Sequence, residues 1–179
     1  MDRTTPIVLV PGLASSARIY APVIPALWRF GPVMVANHIR DDSIAAIARR
    51  ILTEAPPRFA LAGHSMGGYI AFEIMRQAPN RVTRLALINT QARPDTPEAT
   101  ARRHTQMERA RRGELRAVRE ESFPELVHPS RRDDAEIRRL VHAQDEDVGV
   151  EGYLRQQAAI IARVDSRPTL ATITCPTLV

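Results

Sequence analysis

The feature that most restricts the fold of this chain is a six-residue segment in which glycines flank a serine: Gly63-His64-Ser65-Met66-Gly67-Gly68. It follows an apolar run at 59–62, which is typical of a buried strand, and it precedes helical spacing over 69–77. Small residues two positions before and after Ser65 let a strand and a helix approach closely, because glycine has no side chain to collide. The segment therefore predicts a tight, strained turn between a parallel strand and a helix, with Ser65 at its tip.

Short apolar runs alternate with helical spacing through the first half of the chain. The predicted strands are residues 7–10, 33–36, 59–63 and 85–88, and the predicted helices are 17–28, 44–53 and 69–77. Pro22 and Pro25 should shorten or kink the first helix, because proline lacks the N–H that a helix interior needs. Strands that alternate with helices predict an α/β fold, in which a parallel sheet is connected by right-handed crossover helices.

The second half of the chain shows helical periodicity and no strand signal from residue 95 to about residue 172. Glycine and proline interrupt this periodicity, so we expect three to five helices. A helical insertion between two sheet strands would form a cap over the carboxyl ends of the strands. The predicted division is therefore 1–94 as the N-terminal part of the core, 95–172 as the helical cap, and 173–179 as the start of the next core strand, with the remainder of the core absent.

The charge of the chain does not indicate nucleic-acid binding, although the net charge is +5 and the isoelectric point is near 10.5. All 25 basic residues are arginines, and many alternate with acids between residues 98 and 151. Pairs such as Arg132/Asp133 and Glu136/Arg139 are typical of a solvated helical surface. Because no basic stripe or aromatic platform is evident, we expect no nucleic-acid partner.

The cysteine content and the hydropathy of the chain indicate in which compartment of the cell the protein is expected. Cys175 is the single cysteine, which excludes an internal disulfide and zinc sites built on paired cysteines, and its apolar neighbours predict a buried small hydrophobe. No apolar run approaches the ~20 residues that a membrane span requires, and the first residues do not resemble a secretory signal. We expect a cytoplasmic protein with no membrane contact and no metal.

The serine motif and three further segments resemble the α/β-hydrolase superfamily, in the branch of small capped bacterial hydrolases that includes esterases, enol-lactonases, proline iminopeptidases and carbon–carbon bond hydrolases. The similar segments are 7–13, 63–68, 81–89 and 175–179. The resemblance implies that Ser65 is the nucleophile and that the backbone N–H groups of Leu13 and Met66 bind the oxyanion. Where members of the superfamily often carry His-Gly, this chain has Pro11-Gly12, which preserves the N–H but removes any contribution of that histidine.

The resemblance also implies where the partners of the nucleophile belong. The acid usually follows the strand that here begins at Thr177, and the histidine follows one strand later, so we expect this chain to be truncated or a fragment. An alternative position for the acid, after the strand at 85–88, points to Asn89 and Asp95. Asn89 cannot carry a negative charge and Asp95 lies several residues past the strand, so the acid remains unassigned.

None of the five histidines matches the base position of the superfamily. His64 adjoins the nucleophile and is expected to line the pocket. His38 follows the second strand, where it either borders the pocket or, more commonly for such a position, lies in a solvated loop. The three histidines of the predicted cap are expected on its surface: His104, His128 and His142.

These observations predict a serine hydrolase that cleaves an ester, lactone, thioester or similar acyl substrate through an acyl-enzyme on Ser65, without a cofactor. Serine at this position disfavours dehalogenase and epoxide hydrolase chemistry, which use an aspartate there. The alternative is a catalytically incomplete or non-catalytic ligand-binding protein of the same fold. The expected partner is a small-molecule acyl substrate, and both its identity and the oligomeric state are left open.

Overall fold

The computed structural model describes residues 4–179 and contains a parallel sheet of five strands in the order β2-β1-β3-β4-β5. The strands are β1 Ile7–Val10, β2 Val33–Val35, β3 Phe59–His64, β4 Val82–Ile88 and β5 Thr177–Leu178. This architecture confirms the predicted α/β fold class. Strand β4 begins three residues before the predicted start at Leu85, because Thr83 and Arg84 interrupt the apolar run. The pairing of β3 with β4 shifts in register there, since Phe59 pairs with Val82 but Ala60 pairs with Arg84.

The helices that follow the strands agree with the sequence patterns except near the N-terminus. The helices are α1 Ile24–Leu27, α2 Ile44–Glu54, α3 Met66–Gln77, α4 Pro97–Arg109, α5 Leu115–Leu126, α6 Ala135–Ile161 and α7 Arg167–Leu170. The single helix predicted over 17–28 is wrong: a 3-10 turn at Ala17–Tyr20 precedes the one-turn helix α1. Pro22 and Pro25 explain the break, because each removes a backbone donor from the helical ladder.

Helices α2 and α3 cover one face of the sheet and form the main core with it. The side of α2 predicted to be apolar is buried throughout: Ile44, Ile47, Ala48 and Ile51. It packs against α3 and against inward-facing strand residues such as Val8, Phe59 and Leu61. The opposite face of the sheet is bordered by the segment 20–27 and forms an apolar groove of about 560 Å³.

The segment between β4 and β5 is mainly helical, as its periodicity predicts. A π-helical turn at Ala110–Glu114 joins α4 to α5, and Gly113 has a φ of +86° there. Helix α6 changes direction at Gly149, where φ is +66°. The first three residues of the predicted 1–94 core lie outside the described residues. The division of the chain into a core and a cap remains a proposal.

Several arginine ion pairs join one helix of this segment to another. The buried pair Arg119–Asp145, at 2.7 Å, links α5 to α6, whereas the exposed Arg109–Glu121 pair links α4 to α5. Cys175 is half-buried rather than fully buried, because it precedes the edge strand β5. None of the helices within residues 4–179 is both long enough and apolar enough to cross a membrane.

Candidate active site

Ser65 occupies the tight turn that the sequence predicts, between the last residue of β3 and the first residue of α3. Its φ of +52° and ψ of −114° lie outside the regions that L-residues usually adopt. Hydrogen bonds on both sides hold this strained backbone: Ser65 N–H donates to the carbonyl of Ile88 at 2.9 Å, and the Thr90 hydroxyl donates to the Ser65 carbonyl at 2.7 Å. The Ser65 side chain is partly exposed and does not cap α3, so its hydroxyl is free of the helix.

Glycines around Ser65 allow three backbone segments to meet. A Cβ atom on Gly63 would lie 2.3 Å from the carbonyl oxygen of Gly67, and one on Gly67 would lie 2.1 Å from the carbonyl oxygen of Val10. A Cβ atom on Gly68 would lie 2.3 Å from the Thr90 hydroxyl oxygen, the same hydroxyl that binds Ser65. Residues larger than glycine would therefore separate β3, α3 and the end of β1.

The turn after β1 lies against Ser65. A Cβ atom on Gly12 would be 3.3 Å from the Ser65 Cβ atom and 3.1 Å from the His64 Nδ1 atom. Leu13 follows Gly12 directly, and Met66 is the first residue of α3, so its N–H has no acceptor within the helix. The fold thus brings the segments of both predicted oxyanion donors next to the serine.

His38 is buried, so its expected placement in a solvated loop is wrong. It is only 2% exposed, and its Nε2 atom lies 2.8 Å from the carbonyl oxygen of Gly12. Because that carbonyl can only accept, the neutral ring carries its hydrogen on Nε2 and donates it. The side-chain amide nitrogen of Gln156 in α6 lies 3.0 Å from the same Nε2 atom; because this amide group can only donate, it packs against the ring without accepting its hydrogen. Burial lowers the pKa of His38 to about 4 despite the hydrogen bond to Gly12, so the ring is neutral at pH 7.

The buried His38 makes the stability of the fold depend on pH. Above pH 6.5 the ring is neutral in both states, but between pH 6.5 and about 4 the unfolded chain binds a proton that the folded chain does not. We expect this group to remove about 3 kcal/mol from the free energy of unfolding across that interval. Urea denaturation at several pH values measures this loss.

Two histidine variants isolate this contribution from that of the carboxyl groups. In His38→Gln the free energy of unfolding is expected to change less between pH 6.5 and 4 than in the wild type. The control variant is His104→Gln, because His104 is exposed. The cavity beside His38 is also lined by Asp147, which is paired with Arg18. An identical pH profile for wild type and His38→Gln would contradict the assignment of a neutral, buried ring.

The other four histidines differ in exposure. His64 is half-buried, its Nδ1 atom has no hydrogen-bond partner within the described chain, and burial lowers its pKa. His104 and His128 are exposed, as expected. His142 is not on the open surface as predicted but is partly buried, with its Nε2 atom 2.5 Å from a Glu120 carboxylate oxygen. Within residues 4–179 no histidine hydrogen-bonds to Ser65.

Asn89 and Asp95, the two alternative positions for the catalytic acid, differ in their exposure and their partners. Asn89 closes β4 with a φ of +45° and is exposed. Asp95 is buried between Arg103, at 2.5 Å, and Arg163, at 2.8 Å. Although burial by itself would raise it, the pKa of Asp95 is lowered, because both guanidinium groups donate to the carboxylate. Asp95 therefore connects the chain after β4 to α4 and to the end of α6, and within the described part of the chain its carboxylate is paired with arginines and not with a histidine.

Sequence reasoning missed Gln156, one of the residues that connect α6 to the turn after β1. It is completely buried, and its side-chain oxygen accepts from the N–H of Ala14 at 2.9 Å. Glutamine in a polar helix gives no signal for such a role, because the same residue type is common on solvated helix surfaces. Only the three-dimensional contact identifies it.

A five-stranded parallel sheet with a strained serine between β3 and α3, and with the turn after β1 beside it, defines the α/β-hydrolase class of proteins. Within that class the chain belongs to the thioesterase domain family, whose family model matches residues 6–173.

Curated relatives are similar over about half of the chain. A protein of Azorhizobium caulinodans named as the carbamate hydrolase RutD is 36% identical over an aligned length of 104 residues, and the match covers 51% of this chain and 39% of that protein. A protein of the same name from Variovorax paradoxus is 29% identical over an aligned length of 108 residues, and the match covers 52% of this chain and 41% of that protein. The match spans about two fifths of the length of each relative.

Solved structures are similar over nearly the whole chain. A thermophilic esterase from Thermogutta terrifontis superposes with a TM-score of 0.83 at 26% identity, covering 97% of this chain and 69% of the esterase. The enol-lactonase from Burkholderia xenovorans LB400 superposes with a TM-score of 0.84 at 24% identity, covering 98% of this chain and 71% of that chain. The second likeness supports the fold alone.

Proposed function

We propose that this chain provides the nucleophile and the oxyanion site of a serine hydrolase that cleaves an acyl substrate through an acyl-enzyme on Ser65. The observation that carries the proposal is the conformation of Ser65 itself. Four features coincide there: a positive φ, hydrogen bonds to Ile88 and Thr90, a partly exposed side chain, and glycine contacts that bring β1 against the turn. Strain of this kind persists where the surrounding structure enforces it, and it is common at catalytic residues.

The geometry supports an acyl-transfer sequence. The Ser65 hydroxyl oxygen attacks the substrate carbonyl carbon while a base takes its proton, and the carbonyl oxygen becomes an oxyanion. The N–H groups of Leu13 and Met66 then donate to this oxyanion, and the N-terminal end of α3 favours its negative charge. The tetrahedral intermediate collapses, the leaving group takes a proton, and water later hydrolyses the ester on Ser65.

The proposed substrate class rests on a reaction step that several acyl compounds share. The family is a thioesterase family, the matched curated proteins are named as carbamate hydrolases, and the structure that superposes at 26% identity is an esterase; a lactone is a cyclic ester. All four bond types pass through a tetrahedral oxyanion, so one nucleophile and one oxyanion site serve each of them. We therefore propose an ester, lactone, thioester or carbamate as the substrate, and no cofactor.

A second reading is a ligand-binding protein that retains the fold without turnover. It is favoured by the absence, within residues 4–179, of a hydrogen bond between the Ser65 hydroxyl and any histidine. A hydroxyl without a base is a poor nucleophile. Covalent labelling separates the two readings, because only an activated serine reacts with a fluorophosphonate.

We expect a fluorophosphonate probe to label the protein once, on Ser65, as mapped by peptide mass spectrometry. The exposed Ser130 serves as an internal control, because its hydroxyl interacts with His128 but lies in no strained turn. The Ser65→Ala variant should lose the label and Ser130→Ala should retain it. A folded wild-type protein that takes no label, or takes it equally at other serines, would favour the ligand-binding reading.

A further inference from the structure

The peptide group that joins Gly12 to Leu13 is held from outside the turn. The Gly12 carbonyl oxygen accepts from the His38 ring at 2.8 Å and from Ser15 N–H at 3.2 Å. In a planar trans peptide the carbonyl oxygen of Gly12 and the N–H of Leu13 point in opposite directions. A side chain that fixes the direction of the Gly12 carbonyl therefore also fixes the direction of the Leu13 N–H.

The next peptide group, between Leu13 and Ala14, is held in the same way. The Ala14 N–H donates to the side-chain oxygen of Gln156 at 2.9 Å, across 142 positions of sequence. Ala14 is buried and has a φ of +52°, a conformation that alanine adopts only when its surroundings enforce it. The peptide groups before and after the Leu13 Cα atom are thus both fixed by buried side chains from other elements.

Helix α6 makes further contacts with the same turn. The Gln144 side-chain oxygen accepts from Ser16 N–H at 3.2 Å, and the Asp147 carboxylate accepts from the Ser16 hydroxyl at 2.7 Å and from Arg18 at 2.7 Å. These contacts lie beyond Leu13, on residues 16–18. They hold the turn on α6 without touching the peptide groups beside Leu13, which makes Gln144 a suitable comparison for Gln156.

We propose that His38 and Gln156 are positioning residues that aim the Leu13 N–H at the oxyanion formed on attack by Ser65. This inference rests on the proposed function, because it assigns a purpose to the direction of that N–H. His38 also polarises the peptide by donating to its carbonyl, which strengthens the Leu13 N–H as a donor. Neither residue takes a proton from Ser65, so the role differs from that of a general base.

Steady-state kinetics of the wild-type protein and four variants test the proposal with p-nitrophenyl acetate. We expect Gln156→Met and His38→Leu to lower kcat by about 10- to 100-fold with KM changed by less than about threefold, because the lost interaction matters most in the transition state. His38→Gln keeps a side-chain N–H and should recover part of kcat. Gln144→Met removes a similar hydrogen bond from the turn but should leave kcat within about threefold of the wild type.

Affinity for a trifluoromethyl ketone, which forms a tetrahedral oxyanion on the serine, provides a readout that a purely structural role would not move. The ketone should bind to Gln156→Met and His38→Leu more weakly by about the same factor as kcat/KM falls. Circular dichroism confirms folding of each variant, and if His38→Leu fails to fold, the comparison of His38→Gln with Gln156→Met decides.

The outcomes distinguish the inference from the function. Ser65-dependent turnover with unchanged kcat and ketone affinity in Gln156→Met and His38→Gln would overturn the inference and leave the function standing. An equal loss of kcat in Gln144→Met would also overturn it, because any weakening of the turn would then be sufficient. A wild-type protein without Ser65-dependent turnover overturns both.

Discussion

Replacement of Ser65 with alanine is expected to lower kcat for p-nitrophenyl acetate by up to about 10⁶-fold, the loss seen when the serine nucleophile of a complete triad is removed. The physical reason is that alanine cannot form the acyl-enzyme, while the oxyanion donors and the binding surface stay in place. The residual rate should then come from binding and oxyanion stabilisation alone. Initial rates from wild type and variant, at matched concentrations of folded protein, give the ratio.

The control for this experiment is a serine that does not lie in a strained turn. Ser130→Ala removes an exposed hydroxyl from a 3-10 turn and should leave kcat unchanged. Because Ser65 is partly exposed and its side chain does not cap α3, Ser65→Ala should also unfold at nearly the same urea concentration as the wild type. Turnover that survives in Ser65→Ala would rule out an acyl-enzyme on this residue.

The second large effect is expected from Gly67→Ala, which adds one carbon atom where α3 meets the end of β1. The new Cβ atom would lie 2.1 Å from the Val10 carbonyl oxygen and 2.8 Å from the Pro11 carbonyl oxygen. Both are backbone atoms of a central strand and its turn, so they cannot rotate away as a side chain would. We expect the free energy of unfolding to fall by about 3 kcal/mol or more, as measured by urea denaturation.

The control is a glycine at which an added Cβ atom would touch no other residue, because its replacement measures the effect of losing glycine without a collision. Gly113 has a φ of +86°, and a Cβ atom there would meet nothing within 4 Å. Gly113→Ala should therefore cost only the strain of a left-handed residue, about 1 kcal/mol. Equal losses in the two variants would show that the contact between α3 and β1 contributes little, and the packing account of the turn would then be wrong.

These two predictions rest on features that local sequence already indicates. Strand β1, helix α2 and the turn at Ser65 were all predictable because each pattern is complete within a dozen residues: an apolar run, a 3.6-residue period, or glycines at fixed distances from a serine. The helix predicted over 17–28 failed for a local reason that the sequence also carries. Pro22 and Pro25 were expected to shorten it, and in the structure they reduce it to a 3-10 turn and a single helical turn.

The candidate site was less predictable where its contacts join distant segments. Sequence reasoning placed Ser65, Leu13 and Met66 by resemblance, but it left His38 either at the border of the pocket or, more commonly, in a solvated loop. It gave no role to Gln156. These two side chains lie 118 positions apart and meet only because α6 packs onto the turn after β1. Asp95 was considered as a catalytic acid, whereas the structure commits both of its oxygen atoms to Arg103 and Arg163.

The sequence by itself therefore determined the fold class, the order of strands and helices, and the position of a strained serine between β3 and α3, because short-range sterics and hydrophobic periodicity decide these features. Only the tertiary structure decided which buried polar groups hold the Leu13 peptide and which carboxylate is held by arginines. A buried polar side chain must find a partner, and that partner is chosen by which elements pack together rather than by neighbours in sequence. His38 illustrates the difference: its sequence position is that of a loop residue, whereas its ring is buried against the Gly12 carbonyl and against Gln156 of α6, which also binds Ala14.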